Sequence, residues 1–120
     1  MAADDCLFCR IVSGQIPATV VHETERTLAF RDIAPKAPVH VLVIPKQHEP
    51  TLAALAAADS ALVGELASTA AVVAAAEGVD TDGYRVLFNT GPDAGQDVFH
   101  VHAHVLGGRP LGPMLSAFTG

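Results

Sequence analysis

The last quarter of the chain contains the stretch His100-Val101-His102-Ala103-His104-Val105-Leu106, in which histidine alternates with small apolar residues. Successive side chains of a β-strand point to opposite faces of its sheet. A strand over residues 99–106 therefore places three imidazoles on one face and Val101, Ala103 and Val105 on the other. Because a buried imidazole needs a polar partner, three of them on one apolar strand indicate a functional face backed by a core.

The segments around this strand predict an α+β fold. Runs of β-branched and apolar residues bounded by turns predict four more strands, over residues 19–22, 27–32, 39–44 and 84–89. A short N-terminal helix is expected over residues 6–13, and one long helix is expected between the N-cap Asp59 and the C-cap Gly78. Short turns between most of the strands favour a largely antiparallel five-stranded sheet.

Composition limits the classes of protein to which the chain can belong. Its 120 residues, half of them hydrophobic, suit a single domain over residues 1–120. The net charge of −6 argues against a general nucleic-acid-binding protein, which needs a basic surface. The start resembles no secretory signal, and polar residues interrupt the apolar stretch 53–76. We therefore expect a cytoplasmic protein without membrane association.

The histidine strand itself permits two functional interpretations. The three imidazoles could be ligands of a catalytic zinc ion, or one could be a nucleophile while a neighbour binds phosphate. The preceding loop, residues 89–97, favours the second interpretation. Its small residues allow backbone N–H groups to approach a phosphate, and Asn89 and Gln96 add neutral donors.

A second candidate site lies at the N-terminus, where Cys6 and Cys9 are separated by two residues. This spacing allows two thiolates to bind one tetrahedral metal ion. A thioredoxin-like redox pair is the rival interpretation, but that motif follows a strand in a βαβ unit, which this position does not supply. A third interpretation is that both cysteines are small buried residues of a short helix.

Taken together, these features resemble the histidine triad (HIT) family, in its Hint branch, whose signature is His-φ-His-φ-His-φ-φ with φ apolar. The resemblance extends over nearly the whole chain, through Phe8, Ile11, Ile16-Pro17, Phe30, Asp32-Ile33, Pro38, His40, residues 43–46, His48, Asn89, Gly95-Gln96 and residues 107–109. It implies a HIT-like fold. It also implies an enzyme that acts on the α-phosphate of purine nucleoside 5′-phosphoramidates or related nucleotide conjugates and releases a nucleoside monophosphate.

The resemblance assigns roles to individual residues. His102 is implied as the nucleophile that forms a nucleotidyl-histidine, His104 as a donor to a phosphate oxygen, and His40 as a support for the triad. Asp32 is implied to bind the ribose hydroxyls. The full set of implied substrate-binding residues is Phe8, Ile11, Ile16, Asp32, Ile33, Asn89, Gly95, Gln96, Asp97 and Val98, of which the four apolar side chains enclose the base.

The same resemblance implies a structural zinc ion bound by Cys6, Cys9, His48 and His100, and no organic cofactor. It implies a homodimer formed through the long helix and a sheet edge. It also implies that the C-terminal segment, residues 110–120, contributes to substrate choice.

One residue departs from the pattern, because Asp97 occupies a position where Hint members usually carry a hydroxyl. A carboxylate there repels a phosphate unless it is protonated or turned away. We therefore expect Asp97→Ser to raise the turnover of a nucleoside phosphoramidate. Two alternative functions remain open at this point: a catalytically weak module that binds purine mononucleotides, and a zinc-dependent hydrolase that uses the triad as ligands.

Overall fold

A computed structural model describes residues 5–115 of the chain, and within them three α-helices and five strands are present. The strands are β1 (Val20–Glu23), β2 (Thr27–Arg31), β3 (Val39–Pro45), β4 (Tyr84–Phe88) and β5 (Ala103–Gly107). The helices are α1 (Leu7–Val12), α2 (Leu52–Ala58) and α3 (Ser60–Ala76). Residues 116–120 of the C-terminal segment expected to influence substrate choice lie outside the described residues.

The five strands form one sheet in the order β1-β2-β3-β5-β4, and every neighbouring pair is antiparallel. The strand that carries the last triad histidine lies inside the sheet, because His104 pairs with Leu42 of β3 on one side and Leu87 of β4 on the other. The predicted α+β fold with an antiparallel five-stranded sheet is therefore confirmed.

The two faces of the sheet bury different clusters. On the face covered by α3, Val101, Ala103 and Val105 pack with helix residues in the larger core, as their alternation predicted. On the opposite face α1 covers a smaller core, whose members are Cys6, Phe8, Leu28, Phe30, Leu42 and Ile44. The triad histidines lie on this second face, beneath the N-terminal helix.

The helical region differs from the prediction of one long helix beginning at Asp59. A separate helix, α2, precedes it, and the Thr51 hydroxyl caps α2 by accepting a hydrogen bond from the Ala54 N–H at 3.1 Å. Asp59, with φ −161° and ψ 84°, breaks the helical path and caps α3 by accepting from the Leu62 N–H at 3.2 Å. The alanine-rich composition of both helices concealed the boundary, because it gives little periodic contrast.

The last strand is also shorter than predicted, since regular pairing begins at Ala103. Before that residue the backbone forms other contacts: the Val101 N–H donates to the Glu49 carbonyl at 2.8 Å, and the His100 carbonyl accepts from the His102 ring. His100 and His102 thus lie on an extended approach to β5.

Among the described helices, none combines the length and apolar character that crossing a bilayer requires.

Candidate active site and metal centre

His100 is fully buried, and its surroundings determine which ring nitrogen carries the proton. Its Nε2 lies 2.7 Å from the Pro45 carbonyl oxygen, to which it can only donate. Burial lowers the pKa of His100 to about 4, against the opposing effect of the Pro45 hydrogen bond. The ring is therefore neutral near pH 7, and its Nδ1 keeps a lone pair.

That lone pair faces the predicted metal ligands. His100 Nδ1 lies 3.3 Å from Cys6 Sγ, 3.5 Å from Cys9 Sγ and 3.2 Å from His48 Nδ1. All four ligand atoms lie within 4.8 Å of one another. Zinc bonds of about 2.0–2.3 Å to nitrogen and sulfur give separations of roughly 3.3–3.8 Å between tetrahedral ligands. Both the donor set and its spacing fit a four-coordinate zinc ion.

Three separate parts of the fold supply these ligands. Cys6 is the N-cap of α1 and accepts a hydrogen bond from the Cys9 N–H at 3.3 Å, which fixes the two sulfurs relative to each other. His48 follows the end of β3, and Cys9 Sγ lies 3.3 Å from its Nδ1. Burial, together with the neighbouring Cys6, raises the pKa of Cys9 to about 11. Two thiolates this close therefore need a cation between them.

His102, the middle histidine of the triad, is only 5% exposed. Its Nδ1 donates to the His100 carbonyl oxygen at 2.9 Å, so the lone pair resides on Nε2. The Phe8 ring packs edge-on against the imidazole, with ring centroids 5.1 Å apart. An imidazole held in one tautomer with a free Nε2 lone pair can act as a nucleophile.

A chain of hydrogen bonds fixes the tautomers of His40 and His104. The backbone N–H of Lys36 donates to His40 Nδ1 at 3.0 Å, so His40 carries its proton on Nε2. His40 Nε2 in turn lies 2.9 Å from His104 Nδ1 and donates to it. His104 must therefore carry its proton on Nε2, and this buried atom has no hydrogen-bond partner among the described residues.

The pKa values of these two histidines agree with neutral rings. Burial, followed by the charges of His102 and His40, lowers the pKa of His104 to about 4. Burial also lowers the pKa of His40, although Asp32 opposes that effect. The approach of Asp32 Oδ2 to His40 Nε2, at 3.4 Å, is therefore a contact with a neutral imidazole.

The result is a lone pair and an N–H donor side by side. The rings of His102 and His104 have centroids 5.0 Å apart, and each ring has its Nδ1 engaged elsewhere. An unpartnered buried N–H donor costs free energy unless a ligand accepts from it. If His102 Nε2 attacks a tetrahedral phosphorus, an oxygen on that phosphorus can accept the hydrogen bond from His104 Nε2–H.

The expected ribose and base residues differ in how exposed they are. Asp32, just beyond β2, is held by its Oδ1, which accepts from the Ala34 N–H at 2.8 Å. Ile33 beside it is fully exposed, whereas Ile11 and Ile16 are half-buried. Phe8 is only 4% exposed and contacts the triad itself, so it supports His102 more than it offers a free surface to a base.

The predicted phosphate loop is organised by Gln96, which is 7% exposed. Its side-chain amide donates to the carbonyls of Pro50 and Val98, and its oxygen accepts from the Gly91 N–H. Gly95 has φ 83°, a left-handed conformation that favours glycine, and its N–H is used within the loop, on Pro92. The Val98 N–H has no such partner among residues 5–115, so of these two expected phosphate donors it is the available one.

Asn89 follows the last residue of β4, Phe88, which pairs with Ala103. Asn89 thus lies at the end of β4 next to the triad segment, and its role in binding the ribose or phosphate stays a prediction.

The triad does not converge on one point as a metal site would require. Among the described residues, two sets of side chains have closely spaced ligand atoms. One is the Cys6 cluster, which consists of Cys6, Cys9, His48 and His100, and the other consists of Asp32, His40 and His104. In the second set His40 and His104 already share a hydrogen bond. The geometry therefore does not favour the interpretation of all three triad histidines as ligands of a catalytic zinc ion.

Sequence reasoning missed the backbone groups that orient the histidines. The carbonyls of Pro45 and His100 and the N–H of Lys36 each fix a tautomer. Every residue carries such groups, so no residue type marks them in a sequence. The use of the Gln96 side chain as a clamp within the protein was missed for a similar reason.

Comparison with known proteins places this site in a family. The HIT domain matches residues 13–111. The purine nucleoside phosphoramidase of Escherichia coli strain K12 is 43% identical over 114 residues, covering 95% of this chain and 96% of that protein. A 14 kDa zinc-binding protein of Zea mays is 48% identical over 108 residues, covering 88% and 83% of the two chains.

Solved structures show the same architecture. The crystal structure of a HIT family hydrolase from Legionella pneumophila has a TM-score of 0.86 and 48% identity to this chain, covering 89% of it and 96% of the other chain. The HIT domain match over residues 13–111 includes β1 to β5 and all three triad histidines. The chain therefore belongs to the histidine triad (HIT) family.

Proposed function

We propose that the protein is a nucleotide hydrolase or transferase that cleaves purine nucleoside 5′-phosphoramidates or related conjugates at the α-phosphate. The observation that carries this proposal is the pairing of a His102 Nε2 lone pair with the unpartnered Nε2–H of His104. The name of the 43% identical Escherichia coli relative, a purine nucleoside phosphoramidase, supports the same substrate class.

In the proposed reaction, His102 Nε2 attacks the α-phosphorus and the bond between phosphorus and the leaving nitrogen breaks. The leaving amine takes up a proton from water and departs, which leaves a nucleotidyl-histidine. Water then attacks the phosphorus, the bond to Nε2 breaks, and the nucleoside monophosphate is released. His104 Nε2–H donates to a non-bridging oxygen through both steps, and the Val98 N–H adds a second donor.

The substrate extends from this centre toward Asp32. Its carboxylate suits the two hydroxyls of a ribose, and the exposed Ile33 offers an apolar surface to the base, with Ile11 and Ile16 on the other side. Asn89 positions the ribose or the phosphate. Gly95, Gln96 and Asp97 belong to the loop around the phosphate, where Gln96 fixes the backbone.

We assign a structural role to the zinc ion. Cys6, Cys9, His48 and His100 together fill a tetrahedral shell, so a bound ion keeps no open position for substrate. It would tie the N-terminal helix to the triad and polarise no reacting group. The free cysteines suit the reducing cytoplasm in which we place the protein.

We also propose that the protein is a homodimer. Strand β4 is an edge of the sheet, and its Tyr84 and Val86 are 39% and 41% exposed. Val72 of α3 is 48% exposed. An unpaired edge strand and exposed apolar side chains are features that a second copy can cover. Sedimentation of Val86→Lys, expected as a monomer beside a dimeric wild type, tests this.

A catalytically weak nucleotide-binding module is the second candidate. The observation that favours it is Asp97, an exposed carboxylate in the loop immediately before the triad, where its charge would repel a bound phosphate. Under this alternative, adenosine monophosphate binds but no mononucleotide conjugate is hydrolysed, and Asp97→Ser recovers turnover.

The test compares hydrolysis of adenosine 5′-phosphoramidate by wild type, His102→Ala, His102→Gly and the control His22→Ala, whose histidine lies in β1. Adenosine monophosphate binding is measured in parallel. We expect turnover by wild type and His22→Ala, and a loss of at least about a thousandfold in both His102 variants with binding retained. If the His102 variants turn over the substrate as fast as wild type does, His102 is not the nucleophile. If wild type binds adenosine monophosphate but does not hydrolyse the phosphoramidate, the second candidate, the nucleotide-binding module, is correct.

A further inference from the structure

The segment Gly108-Arg109 follows β5 directly and lies against the loop of residues 32–38, which leads into β3. The end of β5 adjoins the start of β3, because Gly107 pairs with Val39. A Cβ atom on Gly108 would lie 2.8 Å from the Cβ atom of Pro38, closer than two such carbons approach. Gly108 also has φ 97°, in the left-handed region that favours glycine. Glycine at this position therefore allows the loop to pack directly on the end of the strand.

Arg109 adds a second link between the strand end and this loop. Its Nη2 donates to the Lys36 carbonyl at 3.1 Å, and its Nη1 donates to the Pro110 carbonyl at 2.9 Å. A planar guanidinium holds its donors in a fixed fork, so the two bonds orient the Lys36 peptide relative to the backbone that follows β5. Two other bonds, from the Ala34 N–H to Asp32 and from Lys36 Nζ to the Ala34 carbonyl, are internal to the loop. Arg109 instead ties the loop to a different strand.

The same loop supplies the N–H group on which the tautomers of two histidines depend. The Lys36 N–H donates to His40 Nδ1 at 3.0 Å, and His40 Nε2–H donates to His104 Nδ1 at 2.9 Å. Lys36 therefore has its carbonyl held by Arg109 and its N–H directed at His40.

Loss of the Lys36 bond would free His40 to carry its proton on Nδ1. His40 Nε2 would then accept a hydrogen bond from His104 Nδ1–H, and His104 Nε2 would hold a lone pair instead of a proton. A lone pair at that position repels a phosphate oxygen, whereas an N–H donates to it. Asp32 Oδ2, 3.4 Å from His40 Nε2, favours the same tautomer as Lys36 does, so we expect a partial shift.

We propose that Gly108 and Arg109 are positioning residues, which hold the Lys36 peptide against His40 and thereby keep the proton of His104 on Nε2. The inference rests on the proposed function, in which this N–H is the donor to the phosphate oxygen. Gly108 and Arg109 act through Lys36 and His40, and not by contact with the substrate.

Nitrogen-15 NMR of the histidine rings in the full-length, zinc-loaded protein tests the proposal, because the two tautomers of a neutral imidazole give different ring nitrogen shifts. His40→Gln and His104→Gln assign the signals. The variants compared with wild type are Arg109→Ala, Arg109→Lys and Gly108→Ala, and kcat and KM for adenosine 5′-phosphoramidate are measured for each.

The chain offers a matched control for each position. Arg85→Ala is the control for Arg109, because Arg85 likewise donates to a backbone carbonyl, that of Gly112, which lies outside the loop. Gly83→Ala is the control for Gly108, since Gly83 also has a positive φ, 117°, but a Cβ atom there would meet no atom within 4 Å.

In wild type we expect His40 and His104 to be protonated on Nε2. Arg109→Ala and Gly108→Ala should each add signals of the other tautomer at both histidines. They should also lower kcat by roughly two- to tenfold, the range for loss of one hydrogen bond, and change KM by less than about twofold. Arg109→Lys, which keeps the charge and a donor, should recover part of the loss. Both controls should keep the wild-type signals.

The outcomes separate the inference from the function on which it rests. If Arg109→Ala and Gly108→Ala keep the wild-type tautomers, or if the controls show the same shift, the inference is wrong and the proposed function stands. A rise of KM alone, without a change of tautomer, means that Arg109 contacts the substrate and also overturns the inference. If Gly108→Ala does not fold, the two Arg109 variants decide. If wild type does not hydrolyse the phosphoramidate, the proposed function is wrong, and the NMR spectra still decide whether Arg109 sets the tautomers.

Discussion

At the scale of single residues, the site depends on how neutral imidazoles are oriented. Backbone groups engage one nitrogen each of His40, His100 and His102 and thereby assign the role of the other nitrogen. In the proposed function, His100 Nδ1 is then free to bind a metal ion, His102 Nε2 to attack phosphorus and His104 Nε2–H to donate to a phosphate oxygen. Residues that hold the backbone are therefore as important to the proposed chemistry as the histidines.

Gln96 is such a residue, and Gln96→Ala should weaken both stability and turnover. The substitution leaves the partly buried Gly91 N–H and the carbonyls of Pro50 and Val98 without this partner. We expect the free energy of unfolding to fall by about 1–3 kcal/mol and phosphoramidate turnover to fall by roughly tenfold. Urea unfolding and steady-state kinetics measure these, with the exposed Gln47→Ala as control. A wild-type rate in Gln96→Ala would show that the clamp is dispensable.

The burial of His104 predicts a pH-dependent stability. Its pKa is lowered from 6.5 to about 4 in the folded protein, so the unfolded chain binds more protons between these values. The contribution of His104 to stability is therefore fully present above about pH 6.5 and is lost as the pH falls toward 4.

We expect the free energy of unfolding of wild type to fall more steeply over this window than that of His104→Gln. The difference is at most about 1.4 kcal/mol per pH unit for one proton. Urea titrations at several pH values measure it, and His22→Gln controls for loss of a histidine elsewhere. Parallel curves for wild type and His104→Gln would contradict the assignment.

At the scale of elements, helix α2 links the helical layer to the loop of residues 89–97, the predicted phosphate loop. Thr51 caps its first turn, and the preceding Pro50 carbonyl accepts from Gln96. The apolar alternation of the last strand and the N-cap role of Asp59 were predicted from sequence and are confirmed. The break between α2 and α3 was not predicted, because alanine favours helix on both sides of it.

Thr51→Ala should lower the free energy of unfolding by about 1 kcal/mol, because the Ala54 N–H loses its hydrogen-bond acceptor. Thr51→Ser keeps a hydroxyl and should restore most of the loss. Thermal or urea unfolding measures both, and Thr81→Ala, an exposed threonine in a turn, is the control. Equal stability of the alanine and serine variants at position 51 would exclude a capping contribution.

At the scale of the whole molecule, the Cys6 cluster joins parts of the chain that are far apart in sequence. Cys6 and His100 are separated by 94 positions, and Cys9 and His48 by 39. A metal ion that binds only the folded arrangement stabilises it by mass action.

Wild type prepared without a histidine tag should contain about one zinc ion per chain, and His48→Ala much less. His22→Ala, which removes another half-buried histidine, should retain the wild-type content. Removing zinc from wild type should lower the thermal midpoint by roughly 5 °C or more, the effect of losing about 1–2 kcal/mol. Metal analysis and calorimetry measure these quantities. If wild type contains only a small fraction of one zinc ion per chain, even after reconstitution with zinc, the proposed zinc site is wrong.

The sequence by itself determined the features that depend on neighbours along the chain. These are the two faces of the histidine strand, the cysteine spacing, the N-cap Asp59, and the five strands of the α+β fold. Periodicity and capping act over a few residues, so local sequence suffices to reveal them.

Only the tertiary structure decided which nitrogen of each histidine is free. His100 donates to the Pro45 carbonyl at the end of β3, and His102 donates to the His100 carbonyl. His40 accepts from the Lys36 N–H, which precedes β3. The meeting of Cys6 and Cys9 with His48 and His100 likewise depends on packing between distant segments. Such contacts follow from strand register and helix docking, which the whole core sets together and no short stretch of residues encodes alone.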